Sequence, residues 1–367
     1  MYRPLWIEIK LENLRRNLFL VRKYVGKSVK VLATVKQNAY GHGLIRVAKE
    51  LDNLGVDFFG VGSLEEAIAL RECGIKKPIL VLTALLPSTI KLLIKYRVRP
   101  TVVDLAFARR LDREAKRLAR KVNVHIKVDT GMGRLGVWWE EAKKFICKVC
   151  NLKNLYVEGL FTHFPSADTD CAFTTFQINT FNNLVQDCAK EGVFFKYLHS
   201  ANSIALIKYK SSHFNLVRPG LILYGINPYS KMKIELAPLL SLKSKVIFLK
   251  KVDRGRSISY GRTYITKRST IIATIGCGYA DGYPFALSNR GKVIIKGKFF
   301  KIAGRVCMDH FMVDIGNNEN IKIKDTVTLI GREKKVKLKA EDLARWANTI
   351  PYEIVSRLSL SVPRIYK

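Results

Sequence analysis

The run Val31-Leu32-Ala33-Thr34-Val35-Lys36-Gln37-Asn38-Ala39-Tyr40-Gly41-His42-Gly43 begins as an apolar strand, stops at a lysine and passes through a glycine-rich loop into a helical pattern. Working outward, β-rich runs over 31–36, 58–63, 78–83, 99–104, 124–129, 157–164, 197–200 and 214–218 alternate with segments of helical periodicity. The clearest helix covers 105–121, with Leu111, Ala115 and Leu118 on one stripe. Eight strands alternating with helices predict an α/β fold of (β/α)8 TIM-barrel type over residues 1–232. From about residue 233 the pattern changes. Strand-like runs over 246–252, 270–275, 292–295, 299–302, 311–314 and 326–330 follow one another, and only 339–348 reads as helix. This predicts a mostly-β C-terminal domain over 233–367.

Hydrophobic residues make up 48% of the 367-residue chain, which suits a large core and excludes a disordered polypeptide. The formal charge of +34 raises the question of nucleic acid. Lysine and arginine are nevertheless spread along the whole chain, the densest patch, 332–339, is short, and no nucleic-acid-binding signature occurs. A basic solvated surface is expected, with attraction of anionic ligands as a by-product. No apolar run approaches the ~20 residues of a membrane helix, and the first residues lack the apolar core of a secretion signal. Seven scattered cysteines suggest reduced thiols in a cytoplasm. Cys147 and Cys150 form a lone C-x-x-C pair in a predicted helix and are expected to be buried thiols rather than metal ligands.

In a barrel the reactive groups sit at the C-terminal ends of the strands. Lys36 falls at such an end, where partial burial lowers an amine's pKa and prepares it as a Schiff-base lysine. The segment from Lys36 to Gly43 resembles the cofactor-lysine motif of alanine racemases, with Gln37 in place of the usual small residue. The resemblance runs from Trp6 to Tyr366. It implies a barrel that binds pyridoxal 5'-phosphate, a C-terminal β domain and a homodimer with shared active sites. It further implies that Lys36 holds the cofactor covalently and that the Tyr40 hydroxyl meets its phosphate.

Other strand ends extend the resemblance. His125, Lys127 and Asp129 alternate with apolar residues and so share one face of their strand. The loop from Asp129 to Gly136 resembles the family segment whose arginine, here Arg134, meets the substrate carboxylate region. In the family the lysine at position 127 is often carbamylated, and an ion pair with Asp129 is the other reading. Thr162-His163-Phe164 places His163 against the pyridine ring by the same resemblance. Ser203 opens a predicted helix suited either to a phosphate or to a plain cap. Gly220 and Leu221 offer backbone N–H groups to the phosphate, and Arg218 matches the arginine that faces the pyridine nitrogen. Arginine stays protonated, so a hydrogen bond to that nitrogen leaves it without a proton and the ring a weaker electron sink. That favours racemisation over transamination.

Racemisation needs proton access from both faces of a planar carbanion, and Lys36 serves one. The run Ser257-Ile258-Ser259-Tyr260-Gly261-Arg262-Thr263-Tyr264 matches the family's second-base motif and puts Tyr260 in that role. Two further segments support the match. Gly304 to Asp309 contains Met308, whose backbone N–H would meet the substrate carboxylate, and Ile350 to Ile354 contains Tyr352, which would reach the phosphate. The run Gly278 to Tyr283 looks like the segment lining the substrate's access channel, with Cys277 a small departure. Tyr260, Tyr352 and Met308 would crowd a substrate side chain, which favours alanine over serine or a broad range. A related decarboxylase would need a Cys-Asp-Gly style motif that is missing here, and a cofactor carrier made of the barrel alone would not need Tyr260. The product would be D-alanine for peptidoglycan.

Overall fold

The computed structural model describes residues 3–229, 231 and 234–367, so the expected boundary between 232 and 233 lies outside the described residues. The chain forms two compact units. One consists of Leu18–Ala39 and Leu44–Leu223, the other of Met1–Asn17, Tyr40–Gly43 and Tyr224–Lys367.

The first unit is the predicted barrel. Its eight parallel strands are Lys30–Thr34, Phe58–Val61, Ile79–Val81, Thr101–Val102, Val122–Asp129, Leu155–Phe161, Tyr197–His199 and Leu216–Val217. Each lies beside its neighbour in sequence. The third and fourth meet through the bridge Leu80↔Arg99, the seventh and eighth through a hydrogen bond from the Arg218 N–H to the Ala201 carbonyl (3.0 Å), and Leu216 pairs with Lys30 to close the ring. Residues 31–34 and 58–61 are buried throughout, which is why these strands read as continuous rather than alternating apolar runs. The helix Leu105–Arg117 starts where the Asp104 carboxylate accepts from the Phe107 N–H (2.7 Å) and buries Phe107, Ala108, Leu111 and Ala115. Leu118, expected on that stripe, is instead the exposed C-cap, and Ala119 follows with φ +49°. The thiol pair also differs from expectation. Cys147 is partly buried and Cys150, at the end of the helix Trp139–Cys150, is exposed, because the core-facing stripe of that helix is Ala142, Ile146 and Val149.

The second unit is built on a nine-stranded sheet. Its long strand Leu240–Val252 pairs antiparallel with Thr270–Ile275, Thr326–Glu333 and Leu5–Ile9, and Leu5–Ile9 pairs parallel with Arg364–Tyr366. Six strands close on themselves, because Thr326–Glu333 meets both Lys292–Ile295 and Leu240–Val252. The predicted helix is present as Ala340–Ala347, and a second, Pro351–Ser356, follows it. Among the described residues no helix is long and apolar enough to cross a membrane.

Candidate active site

Lys36 lies just past the first barrel strand, separated from its last residue, Thr34, by Val35. The loop behind it does not pass straight into a helix. Gln37, Asn38, Ala39 and Tyr40 all adopt left-handed backbone (φ 52–54°), although none is glycine. Such residues cost about 1–2 kcal/mol each and persist only where neighbours hold them. Here the Ala39 N–H donates to the Val35 carbonyl (2.8 Å), the Asn38 N–H to Glu66 Oε1 (3.0 Å), and Asn38 Oδ1 accepts from the Leu44 N–H (2.8 Å) at the head of the helix Leu44–Asn53. Gly62 lies where a Cβ would press on the Lys36 side chain. Burial and the charges of Arg134 and Arg218 hold the Lys36 amine below the ordinary lysine value, with Glu66 pulling the other way.

Arg218 is the most heavily bonded side chain of this site. It is 5% exposed. Its Nη1 donates to His199 Nδ1 (2.9 Å) and the His199 carbonyl (2.8 Å). Its Nη2 donates to the carbonyls of Thr162 (2.7 Å) and Ser200 (2.9 Å) and to His163 Nδ1 (3.3 Å). Both terminal nitrogens are thus committed, and Nε–H is the donor with no acceptor among the described residues. Burial lowers the guanidinium to about 9, so it is charged at neutral pH. Burial and the cations Arg218 and Lys127 push His163 well below the usual histidine value, so the ring is neutral.

The Arg134 loop is ordered by Asp129, whose carboxylate accepts from the backbone N–H groups of Gly131 (2.9 Å), Met132 (2.7 Å) and Arg134 (3.1 Å). Asp129 is therefore engaged with backbone and touches Lys127 only through its field. Burial, Arg134 and Arg218 bring Lys127 down to about 8. At the seventh strand end, the helix Ser203–Lys208 is capped by Asn202, which accepts from the Ile204 (3.1 Å) and Ala205 (3.0 Å) N–H groups. Ser203 is not the cap. Its Oγ accepts from the Gly220 N–H (2.8 Å), which ties the seventh strand end to the eighth, next to buried Leu221.

The remaining predicted residues lie in the second unit. The rings of Tyr40 and Tyr352 are 6.1 Å apart, and Tyr40 also meets Tyr224 at 5.1 Å. Gly41 and Gly43 carry positive φ, and a Cβ on either would run into the Val355 carbonyl or the Tyr366 hydroxyl. Three of the motif segments come together here. Ser259, with φ +69°, hydrogen-bonds through Oγ to the Arg305 carbonyl (2.7 Å), and the N–H groups of Tyr279 and Ala280 donate to the carbonyls of Cys307 (2.9 Å) and Met308 (3.1 Å). Tyr260 and Met308 emerge from this cluster 72% and 54% exposed.

The sequence reading missed Glu66 and the partners of Arg218. Glu66 lies inside an ordinary-looking helix, and no local pattern marks its bonds to the Asn38 and Gly62 N–H groups. Most acceptors of Arg218 are carbonyls, which every residue carries.

A family model described as the N-terminal domain of alanine racemase matches residues 9–228, and one for the C-terminal domain matches residues 239–366. The alanine racemase of Halothermothrix orenii is 44% identical over 100% of this chain and 97% of its own length. That of Carboxydothermus hydrogenoformans is 42% identical over 99% of this chain and all of its own. Among solved structures, the alanine racemase of Clostridium difficile 630 aligns with TM-score 0.94 at 36% identity, covering 100% of this chain and 96% of that one. One from Bacillus anthracis with bound L-Ala-P gives 0.93 at 35% identity, over 100% and 96% of the two chains. One from Bartonella henselae with covalently bound pyridoxal phosphate gives 0.90 at 26% identity, over 99% of each.

Proposed function

Because this chain belongs to the alanine racemase family, we propose that it interconverts L- and D-alanine with pyridoxal 5'-phosphate, using Lys36 and Tyr260 as its two bases. The observation that carries the reading is the convergence of Lys36, Lys127, Arg134 and Arg218 within one another's fields, opposed by Asp129 and Glu66 among the described residues. This excess of positive charge, with Lys127 and Arg218 buried, fits an anionic cofactor and a carboxylate substrate. The donor set fits as well: a lysine amine lowered toward its reactive form, an arginine whose Nε–H has no acceptor among the described residues, and the Ser203 hydroxyl, whose oxygen accepts from the Gly220 N–H and whose proton is left to donate, beside Leu221. When bound, the cofactor draws electrons from the α-carbon and so acidifies its C–H bond.

Lys36 would hold the cofactor and move the α-proton on one face. Tyr260 would do so on the other. Arg218, donating from Nε, would keep a proton off the pyridine nitrogen and direct the proton back to the α-carbon. His163 would lie against the ring. Tyr40, Ser203, Gly220, Leu221 and Tyr352 would hold the phosphate, and Arg134 and the Met308 N–H the substrate carboxylate. The exposure of Tyr260 and Met308 supports a homodimer in which each protomer completes its partner's site. A cytoplasmic supply of D-alanine for peptidoglycan is the corresponding role. The test is loss of optical rotation over a panel of single amino acids with the cofactor present. Loss confined to alanine is expected; equal loss with serine would make this a broad-range racemase, and no loss with any amino acid would overturn the reading.

A further inference from the structure

Behind Arg218 a line of buried polar side chains runs away from the reacting groups. His199 Nε2 lies 2.9 Å from His125 Nδ1, His125 Nε2 lies 3.6 Å from Glu158 Oε2, and Arg99 grips Glu158 through Nε (2.5 Å) and Nη2 (3.3 Å). His125 and His199 are inaccessible to solvent and Glu158 is 3% exposed. Aromatic walls line the path. Phe161 stacks on His199 at 4.7 Å, and Tyr197 lies parallel to His125 at 6.1 Å.

We propose that Glu158 is a positioning residue for Arg218, acting through His125 and His199 by fixing which nitrogen of each ring carries the proton. The argument is one of direction. Arginine only donates and a carboxylate only accepts. His199 must therefore present a bare Nδ1 to Arg218 and carry its proton on Nε2, which donates to His125 Nδ1. His125 then carries its proton on Nε2, facing Glu158, where it has no closer partner among the described residues. Both ends of the line permit one sense only.

The backbone is shaped for this arrangement. The strand Leu155–Phe161 is out of step with Val122–Asp129 at this point: Val124 pairs with Val157, but His125 pairs with Gly159, so Glu158 is the extra residue of a β-bulge. A bulge re-aims a side chain, and the displaced residue here, Glu158, is buried. A Cβ at position 159 would overlap the His125 ring. The charge states agree. Burial holds both histidines below their ordinary value, and although burial opposes it, His125 and Arg99 bring Glu158 down to about 2.

The role rests on the racemase reading, but the experiment separates the two. In 15N-histidine-labelled holoenzyme, His125 and His199 should each show a protonated Nε2 and a bare Nδ1. A proton on Nδ1 of either ring, or on both nitrogens, overturns the proposal without any variant. In Glu158→Gln the amide can donate to His125, so both rings should populate the Nδ1–H form and leave Arg218 facing a donor. Racemisation kcat should then fall roughly tenfold with KM little changed, with a shifted absorbance of the bound cofactor and more transamination product. An Arg99→Gln, Glu158→Gln pair, which removes both charges together, keeps the test open should the single variant fold poorly, and should show the same redistribution. Unaltered tautomers and product ratio in whichever variant folds would reduce Glu158 to a packing role. Ordered tautomers that respond to Glu158→Gln in a protein that racemises nothing would keep the relay and overturn the racemase reading alone.

Discussion

Replacing Arg218 by lysine keeps the charge and removes the fork. Four of its acceptors lie at 2.7–2.9 Å: His199 Nδ1 and the carbonyls of His199, Thr162 and Ser200. They are served by two nitrogens held apart by the guanidinium plane, whereas an ammonium donates from one point. At 5% exposure there is little room for water to take over. If two acceptors lose their partner at about 1–3 kcal/mol each, Arg218→Lys costs about 4 kcal/mol. At roughly 2–4 °C per kcal/mol for a unit of this size, the midpoint should fall by about 10 °C. The measurement is urea and thermal unfolding of wild type and variant, with and without cofactor, so that ligand linkage is separated from intrinsic stability. A loss below about 1 kcal/mol at unchanged m-value would mean that the acceptors are satisfied some other way, and the reasoning about the fork would be wrong.

Lys36→Ala should abolish both the visible band of covalently held cofactor and turnover, and retention of either would remove Lys36 from its role. Arg218→Glu would let the pyridine nitrogen keep a proton; racemisation should slow and transamination product rise, and an unchanged product ratio would count against the weak-sink argument. Co-refolding Lys36→Ala with Tyr260→Phe chains should make half the dimers mixed, each with one intact site, restoring about 25% of wild-type activity per site. Demonstrated mixing with no recovery would place both bases in one chain. Lys127, lowered from 10.5 to about 8, is mostly neutral above that pH, and the neutral amine is the form that adds carbon dioxide. Labelled bicarbonate should therefore give a carbamate carbon signal that grows as pH rises through about 8 and is missing in Lys127→Ala.

The barrel was legible because its signal is local. Strands such as Lys30–Thr34 and Phe58–Val61 are covered on both faces and must be apolar almost throughout, so each announces itself within a few residues. The second unit's strands between 270 and 330 were also legible, as short strand-like runs that follow one another without long helices. The strand Leu5–Ile9 was not, because its partners Leu240–Val252 and Arg364–Tyr366 are far away in sequence and five residues alone say little. The membership of Tyr40–Gly43 in that second unit has the same origin.

At the candidate site, residue types could be proposed from the sequence and their arrangement could not. Lys36, Arg134, Arg218 and Tyr260 stand out through their neighbours in sequence, since chemistry constrains which side chains follow one another on a short loop. The left-handed turn at 37–40 leaves no such trace, because it is stabilised by Glu66 and the head of another helix rather than by residues with a preference for it. Nor do the bulge that turns Glu158 inward or the carbonyls that hold Arg218, for these are backbone features that any sequence carries. Side-chain identity is encoded residue by residue. The direction in which each group points, and the charge state it then adopts, depends on burial and on partners that only the folded chain assembles.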